Sequence, residues 1–213
     1  VCSSDLPNNA VVVVVGDFET TEAKKWISQY FAAIPSADLP SKPDISEPKQ
    51  EKEKRFVKED KLANKPAIAI AYKMPEKHTP EFYAMGLIDQ MLVQGDDSKL
   101  YQALVQEKGY TSGVGGGINY LGNMFDYNGP MVWMSNLIYD STVSSDAIVK
   151  EFDKAIKDIE TNVSQEDLNL ALIKKRSQLY DDIGGFYGIG KLNLLACFAI
   201  FDDKPSLINT LED

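Results

Sequence analysis

A single histidine, His78, stands among the 213 residues, together with two cysteines, Cys2 and Cys197. One histidine excludes any site built from several imidazoles within this chain. Two cysteines make no disulfide framework. Basic residues are scarce: 22 Lys+Arg against 32 Asp+Glu give a net charge of −10. Grip on a phosphate backbone needs a basic face, so nucleic acid is excluded as a partner. No apolar run approaches the roughly 20 residues that cross a bilayer as a helix. The longest aliphatic run, residues 11–15, is closed by Gly16-Asp17 and reads as a buried strand. No Lys-Ser or Lys-Thr pair is available to hold a triphosphate. What remains is ordinary for a folded domain, 44% hydrophobic and 25% charged, which excludes a disordered tail and a collagen-like fibre. At roughly 150 residues per domain, the length suits one large domain or two small ones.

Residues 1–6 (VCSSDL) read as a non-native leader, since a sequencing adapter translated in one frame spells Cys-Ser-Ser-Asp-Leu. Residues 206–213 begin a helical pattern and stop without a cap. Both features suggest a fragment. Residues 9–15 form the expected first strand. A helix capped by Thr20 or Thr21 should follow, burying Ala23, Trp26, Ile27, Tyr30, Phe31 and Ile34 until Pro35 stops it. Residues 36–55, rich in Pro, Lys and Glu, bury too little to fold alone and read as a linker. Phe56-Val57 reads as a short strand and residues 66–72 as an alternating one. Thr79-Pro80-Glu81 is a helix start, with Phe82, Met85, Ile88 and Leu92 inward. Another helix is expected over residues 98–108, with Leu100, Leu104 and Val105 inward. Strands follow at residues 109–118 and 129–138. Ser144 or Ser145 should cap a helix with Ile148, Phe152, Ile156 and Ile159 on one stripe. Ser164 and Asp167 fit a capping box for the helix running to about Tyr180. Residues 192–201 read as an apolar helix. The sum is an α+β chain, a two-layer antiparallel sheet with helices on one face. The expected core includes Ile68, Ile70, Met85, Ile88, Leu92, Leu104, Val132, Met134, Ile148, Phe152, Ile156 and Leu172. Residues 9–34 should not share that core, and with the partners of their own sheet missing from the fragment, Trp26 and Phe31 should be left exposed or misdocked.

Few residues suggest chemistry. Residues 113–117 (GVGGG) imitate a phosphate loop, but the apolar residues 118–121 continue as a strand, so a bent glycine-rich strand is expected. His78 lies in a polar turn, where a solvated imidazole is the ordinary outcome. Glu76 and Glu81 beside it supply at most an adventitious metal contact. Asp96-Asp97 and Asp202-Asp203 fit the start of a helix better than a metal site. Arg176 and Tyr180 share one helix face, being four apart. They are either a surface cation beside an aromatic ring or a pair that contacts substrate.

Several segments in order resemble the insulinase/pitrilysin-type zinc metallopeptidases, in the form of their bacterial members. They are PNNAVVVVVGDF (residues 7–18), AKKWISQYFAAIP (23–35), PAIAIAYKMP (66–75) and FYAMGLIDQMLVQGDDSKLYQALVQEKG (82–109), with residues 163–168 and 202–209 fitting the same pattern. The resemblance implies α+β units of like fold joined by a linker. Residues 7–35 would end a first unit, 36–55 would link, and 56–213 would form a second unit truncated at its C-terminus. It also implies a clamshell that encloses and hydrolyses peptides, its other half supplied in cis or by a second subunit. The family's zinc is held by an H-x-x-E-H motif and a further Glu, the inner Glu serving as base. That motif is missing here, so zinc is expected in the parent protein and none in this fragment, with no catalytic residue carried over. Family members place an Arg and a Tyr against substrate, for which Arg176 and Tyr180 are the candidates and Tyr187 a second option. A non-catalytic, chamber-forming partner subunit is the alternative. Bacterial relatives suggest the cell envelope or periplasm.

Overall fold

The computed structural model describes residues 6–39, 41–185, 188–202 and 204–211. Cys2, Tyr187 and Asp203 lie outside the described residues. The elements are α1 (Thr20–Phe31), β1 (Ala67–Lys73), α2 (Pro80–Leu92), α3 (Lys99–Tyr101, continued by a π-helical turn over Gln102–Glu107), β2 (Gly115–Ile118), β3 (Val132–Ile138), α4 (Ser145–Asn162), α5 (Gln165–Ile183) and α6 (Ile189–Phe201). They group into two compact units, one of residues 46–178 and one of residues 1–45 with 179–213. Residues 179–213, expected with the second unit, therefore pack with the N-terminal stretch.

The unit of residues 46–178 is built on an antiparallel sheet of order β1-β3-β2. Ala67 lies opposite Ile138 and Lys73 opposite Val132, while Gly115 to Ile118 face Asn136 to Trp133. This is the expected α+β arrangement. Ordinary side-chain rules place the helices. Thr79 accepts a hydrogen bond from the Phe82 amide at 3.2 Å and Pro80 opens α2. Ser144 caps α4 through the Ala147 amide at 3.2 Å. Ser164 and Asp167 form the reciprocal box before α5, at 3.1 and 2.9 Å. α2 and α4 cover the sheet face that carries Trp133, Ser135 and Leu137. Trp133 meets the Phe152 ring at 6.0 Å between centroids, and Phe82, Leu100, Leu104, Ile148 and Phe152 are all but fully enclosed.

Of the twelve expected core residues, two are exposed, six are half-buried and four are buried. On β3 the buried set is Trp133, Ser135 and Leu137, so Val132 is exposed and Met134 half-buried. The strand reads apolar on both faces, and the period of two fixes a pattern without its phase. On α5 the buried residue is Ala171, not Leu172. Met85, Ile88, Ile156, Ile68 and Ile70 are half-buried, and α2 instead buries Gly86, Asp89 and Gln90. Leu92, Leu104, Ile148 and Phe152 sit inside as expected. Residues 113–117 do form a bent strand. A Cβ on Gly116 would stand 2.4 Å from the Met134 carbonyl oxygen, so only glycine lets β2 lie this close to β3. The strand expected from residue 109 begins at Gly115, preceded by a single bridge between Thr111 and Tyr139.

In the other unit, residues 10–15 are outside any strand, although the backbone at Ala10 is extended. Extended chain becomes strand only with a ladder partner. α1 starts at Thr20 itself, after Glu19, with no side-chain cap. It buries no residue: Ala23 and Ile27 are half-buried, whereas Tyr30, Phe31, Ile34 and Trp26 (57% accessible) are exposed. The Asn8 amide donates to the Ala37 carbonyl at 2.9 Å, tying the two ends of this stretch. α6 is apolar nearly all round and buries Leu194, Cys197 and Phe198. No helix among the described residues is long and apolar enough to cross a membrane.

Candidate functional site

The polar side chains singled out from sequence are scattered. His78 stands in the turn before α2 with a left-handed φ of 65°. Its Nδ1 is 3.2 Å from the Tyr83 hydroxyl and its ring 6.2 Å from that of Phe82. Glu76 and Glu81 are exposed. Glu76 uses its carbonyl to accept from Thr79, at 2.7 Å from the hydroxyl. Asp97 pairs with Lys174 of α5 at 2.8 Å, and the same ammonium donates to the Gln94 carbonyl at 2.6 Å. The Asp96 carbonyl accepts from the Gln102 side chain at 2.6 Å. The Asp97 carboxylate and the Asp96 backbone carbonyl thus help hold α5 and α3 to the end of α2. Asp202 is the C-cap of α6. Arg176 and Tyr180 both lie on α5 and both are exposed.

Sequence reasoning missed the best-built polar group of the unit of residues 46–178. Asp89 of α2 is only 5% accessible, and both carboxylate oxygens are engaged. Trp133 donates its indole N–H to Oδ1 at 2.7 Å, and Gln94 donates to Oδ2 at 3.1 Å. The same Gln94 amide also donates to the Gly116 carbonyl at 3.1 Å. Beside this trio, buried Gln90 donates to Gln178 of α5 at 3.1 Å. Burial raises the Asp89 carboxyl above its ordinary value of 3.8, against the hydrogen bonds of Trp133 and Gln94 and the charge of Lys175. Each oxygen accepts from one fixed donor, and burial rather than a lack of lone pairs withdraws the group from solvent. It ties α2, β2 and β3 together. Its one signal in the sequence is the Asp89-Gln90 pair set inside the apolar run of α2.

Nearby, Gln90, Met91, Asp97, Leu170, Ala171 and Lys174 line a cleft of about 60 Å³. Pockets that enclose a small molecule measure several hundred Å³, so the cleft admits water and little else. A zinc site needs three protein ligands converging on one point. Among the described residues no three His, Cys, Asp or Glu side chains could hold a metal ion together. The described residues do not fit the zinc of the peptidases this chain resembles.

Comparison with known proteins matches this arrangement. Residues 6–174 match the family model described as the Peptidase M16 inactive domain. The chain is 28% identical over 105 residues to the zinc protease PqqE of Helicobacter pylori, covering 48% of this chain and 23% of that protein. The crystal structure of a protease from Helicobacter pylori superposes with a TM-score of 0.82 at 20% identity, over 98% of this chain and 50% of that one. The peptidase M16 inactive domain from Pseudomonas fluorescens superposes with a TM-score of 0.66 at 17% identity, over 93% of this chain and 44% of its own. The chain therefore spans about a quarter of the curated relative, and half of the Helicobacter structure. It belongs to the M16 inactive-domain family.

Proposed function

We propose that this chain is the non-zinc portion of a zinc metalloendopeptidase that encloses peptides between two halves and hydrolyses them. The match of residues 6–174 to an inactive-domain family carries this reading. The likeness to the zinc protease of Helicobacter pylori supports it. Zinc, its two histidines and its glutamates then belong to a part of the parent protein outside this chain. The part played here is to close the chamber and to offer contact surface to the peptide. Arg176 supplies a cation to a substrate carbonyl or carboxylate. Tyr180 supplies a flat apolar surface and a hydroxyl from the same helix.

The test compares this chain with the full parent reading frame. The parent should bind about one zinc per active site and cleave peptides in a chelator-sensitive way. This chain alone should do neither. A parent that lacks H-x-x-E-H and is inert would overturn the enzyme reading and establish a chamber-forming partner subunit. Stoichiometric zinc with cleavage by this chain alone would overturn both.

A further inference from the structure

β1 is an edge strand of seven residues. Which of its amides face outward follows from the ladder. The Tyr139 amide donates to the Pro66 carbonyl at 3.0 Å, and the Met74 amide to the Met131 carbonyl at 2.9 Å. Hydrogen-bonded pairs alternate in an antiparallel ladder. Residues 66, 68, 70, 72 and 74 therefore bond to β3, and the N–H and C=O groups of Ala67, Ala69, Ala71 and Lys73 point to the free edge. An open edge of this length is a template for foreign strands.

A strap over residues 46–57 accompanies that edge, bonded to it, among the described residues, through the Lys73 side chain and not through a backbone ladder. At one end Lys73 pairs with Glu47 at 2.8 Å and donates to the Pro48 carbonyl at 3.0 Å. At the other, Arg55 reaches Asp146, at the start of α4, at 3.3 Å. Past the strap the chain reverses. The Ala63 amide donates to the Asp60 carbonyl at 3.3 Å, and the Leu62 amide to the Asp60 carboxylate at 2.9 Å. Yet Phe56 and Val57 are 88% and 98% accessible, a β-forming pair left in water. No backbone hydrogen bond joins the strap to β1 among the described residues.

We propose that residues 50–56 close onto β1 as a fourth strand, with Phe56 opposite Ala67 and Gln50 opposite Lys73. The turn fixes that register. Asp60 faces Ala63, and continuing two by two brings Phe56 to Ala67, Lys54 to Ala69 and Lys52 to Ala71. Side-chain parity agrees. Arg55 then falls on the helix-covered face, where Asp146 already holds it. Phe56 falls on the opposite face, in one row with Ala67 and Ile138. Ile138 is 61% accessible. The phenyl ring closes over the small Ala67 onto Ile138, burying two side chains that are otherwise wet. The loop between the strands is short and already turned, so its closure entropy is small. Closing converts β1 from an edge to an interior strand. The new edge is rich in Lys and Glu, which resists pairing with foreign strands. This inference is independent of whether the parent protein is catalytic.

Amide hydrogen exchange on the whole chain tests it. The outward amides of Ala67, Ala69, Ala71 and Lys73 should exchange about tenfold or more slowly than in a free peptide. Lys52→Pro removes an amide aimed at β1 and should abolish that protection. Glu51→Pro removes an amide aimed away from β1 and should spare it. Free-peptide exchange rates at the four residues would overturn the proposal, as would protection that survives Lys52→Pro. Protection that grows with protein concentration would also overturn it, since a second copy would then be the strand on the edge.

Discussion

Asp89 shows how a single residue decides local order. Its carboxyl is raised by burial, so the folded protein holds that proton more tightly than the unfolded chain does. For a raised acid, stability is greatest below the ordinary value of 3.8. It declines as pH climbs from there through the folded-state value, and then levels off. Asp89→Asn should remove that portion of the pH dependence, measured as urea midpoints across the acid range. It should also lose one hydrogen bond, because an amide cannot accept from Trp133 and Gln94 on both atoms. Trp133→Phe strands the carboxylate oxygen and should cost about 1–3 kcal/mol, read from the same titrations. Little of this was legible in the sequence. An acid inside an apolar helix can face water or a buried donor, and only the fold brought Trp133, 44 positions away, to Oδ1. Arg176 and Tyr180 were legible as neighbours on one helix, because helical spacing alone places them. If they touch substrate, Arg176→Ala and Tyr180→Phe in the parent should raise KM with little change in thermal stability, since both are exposed.

Helices were more legible than strands. A cap is written in adjacent residues, as at Thr79-Pro80 and Ser164 with Asp167, and each appeared where the residues put it. A strand depends on a partner far along the chain. Residues 10–15 carry the composition of a strand and remain outside one. β3 illustrates the phase problem, since Val132, Met134 and Ile138 are as apolar as the residues it buries. The energetic contrast is measurable. Phe152→Ala empties a site on α4 that is 1% accessible and should cost about 3–5 kcal/mol. Val132→Ala, on the open face, should cost well under 1.5 kcal/mol by the same denaturation curves. Gly116→Ala must push β2 off β3, because its methyl would meet the Met134 carbonyl. It should destabilise by about 1–3 kcal/mol and loosen exchange protection along β2.

At the scale of the molecule, composition and order conveyed the α+β class, and the ordered segments pointed to the family that residues 6–174 match. The grouping of residues 179–213 with residues 1–45 was not legible, because a helix as apolar as α6 names no partner. The backbones of α5 and α6 touch at Gly190, where a Cβ would fall on the Asp182 carbonyl. Gly190→Ala should therefore perturb the unit of residues 1–45 and 179–213 alone, which amide exchange mapped residue by residue would reveal. The placement of the two tryptophans makes such a division visible in solution. Trp133 is sealed in the unit of residues 46–178 and bonded to a carboxylate, and Trp26 lies open to water in the other unit. Each unit thus carries its own fluorophore, one emitting from an enclosed environment and one already solvent-relaxed. In a Trp26→Phe protein, intrinsic emission should report the opening of the sheet unit alone, and a red shift on denaturation would time that event without any added label.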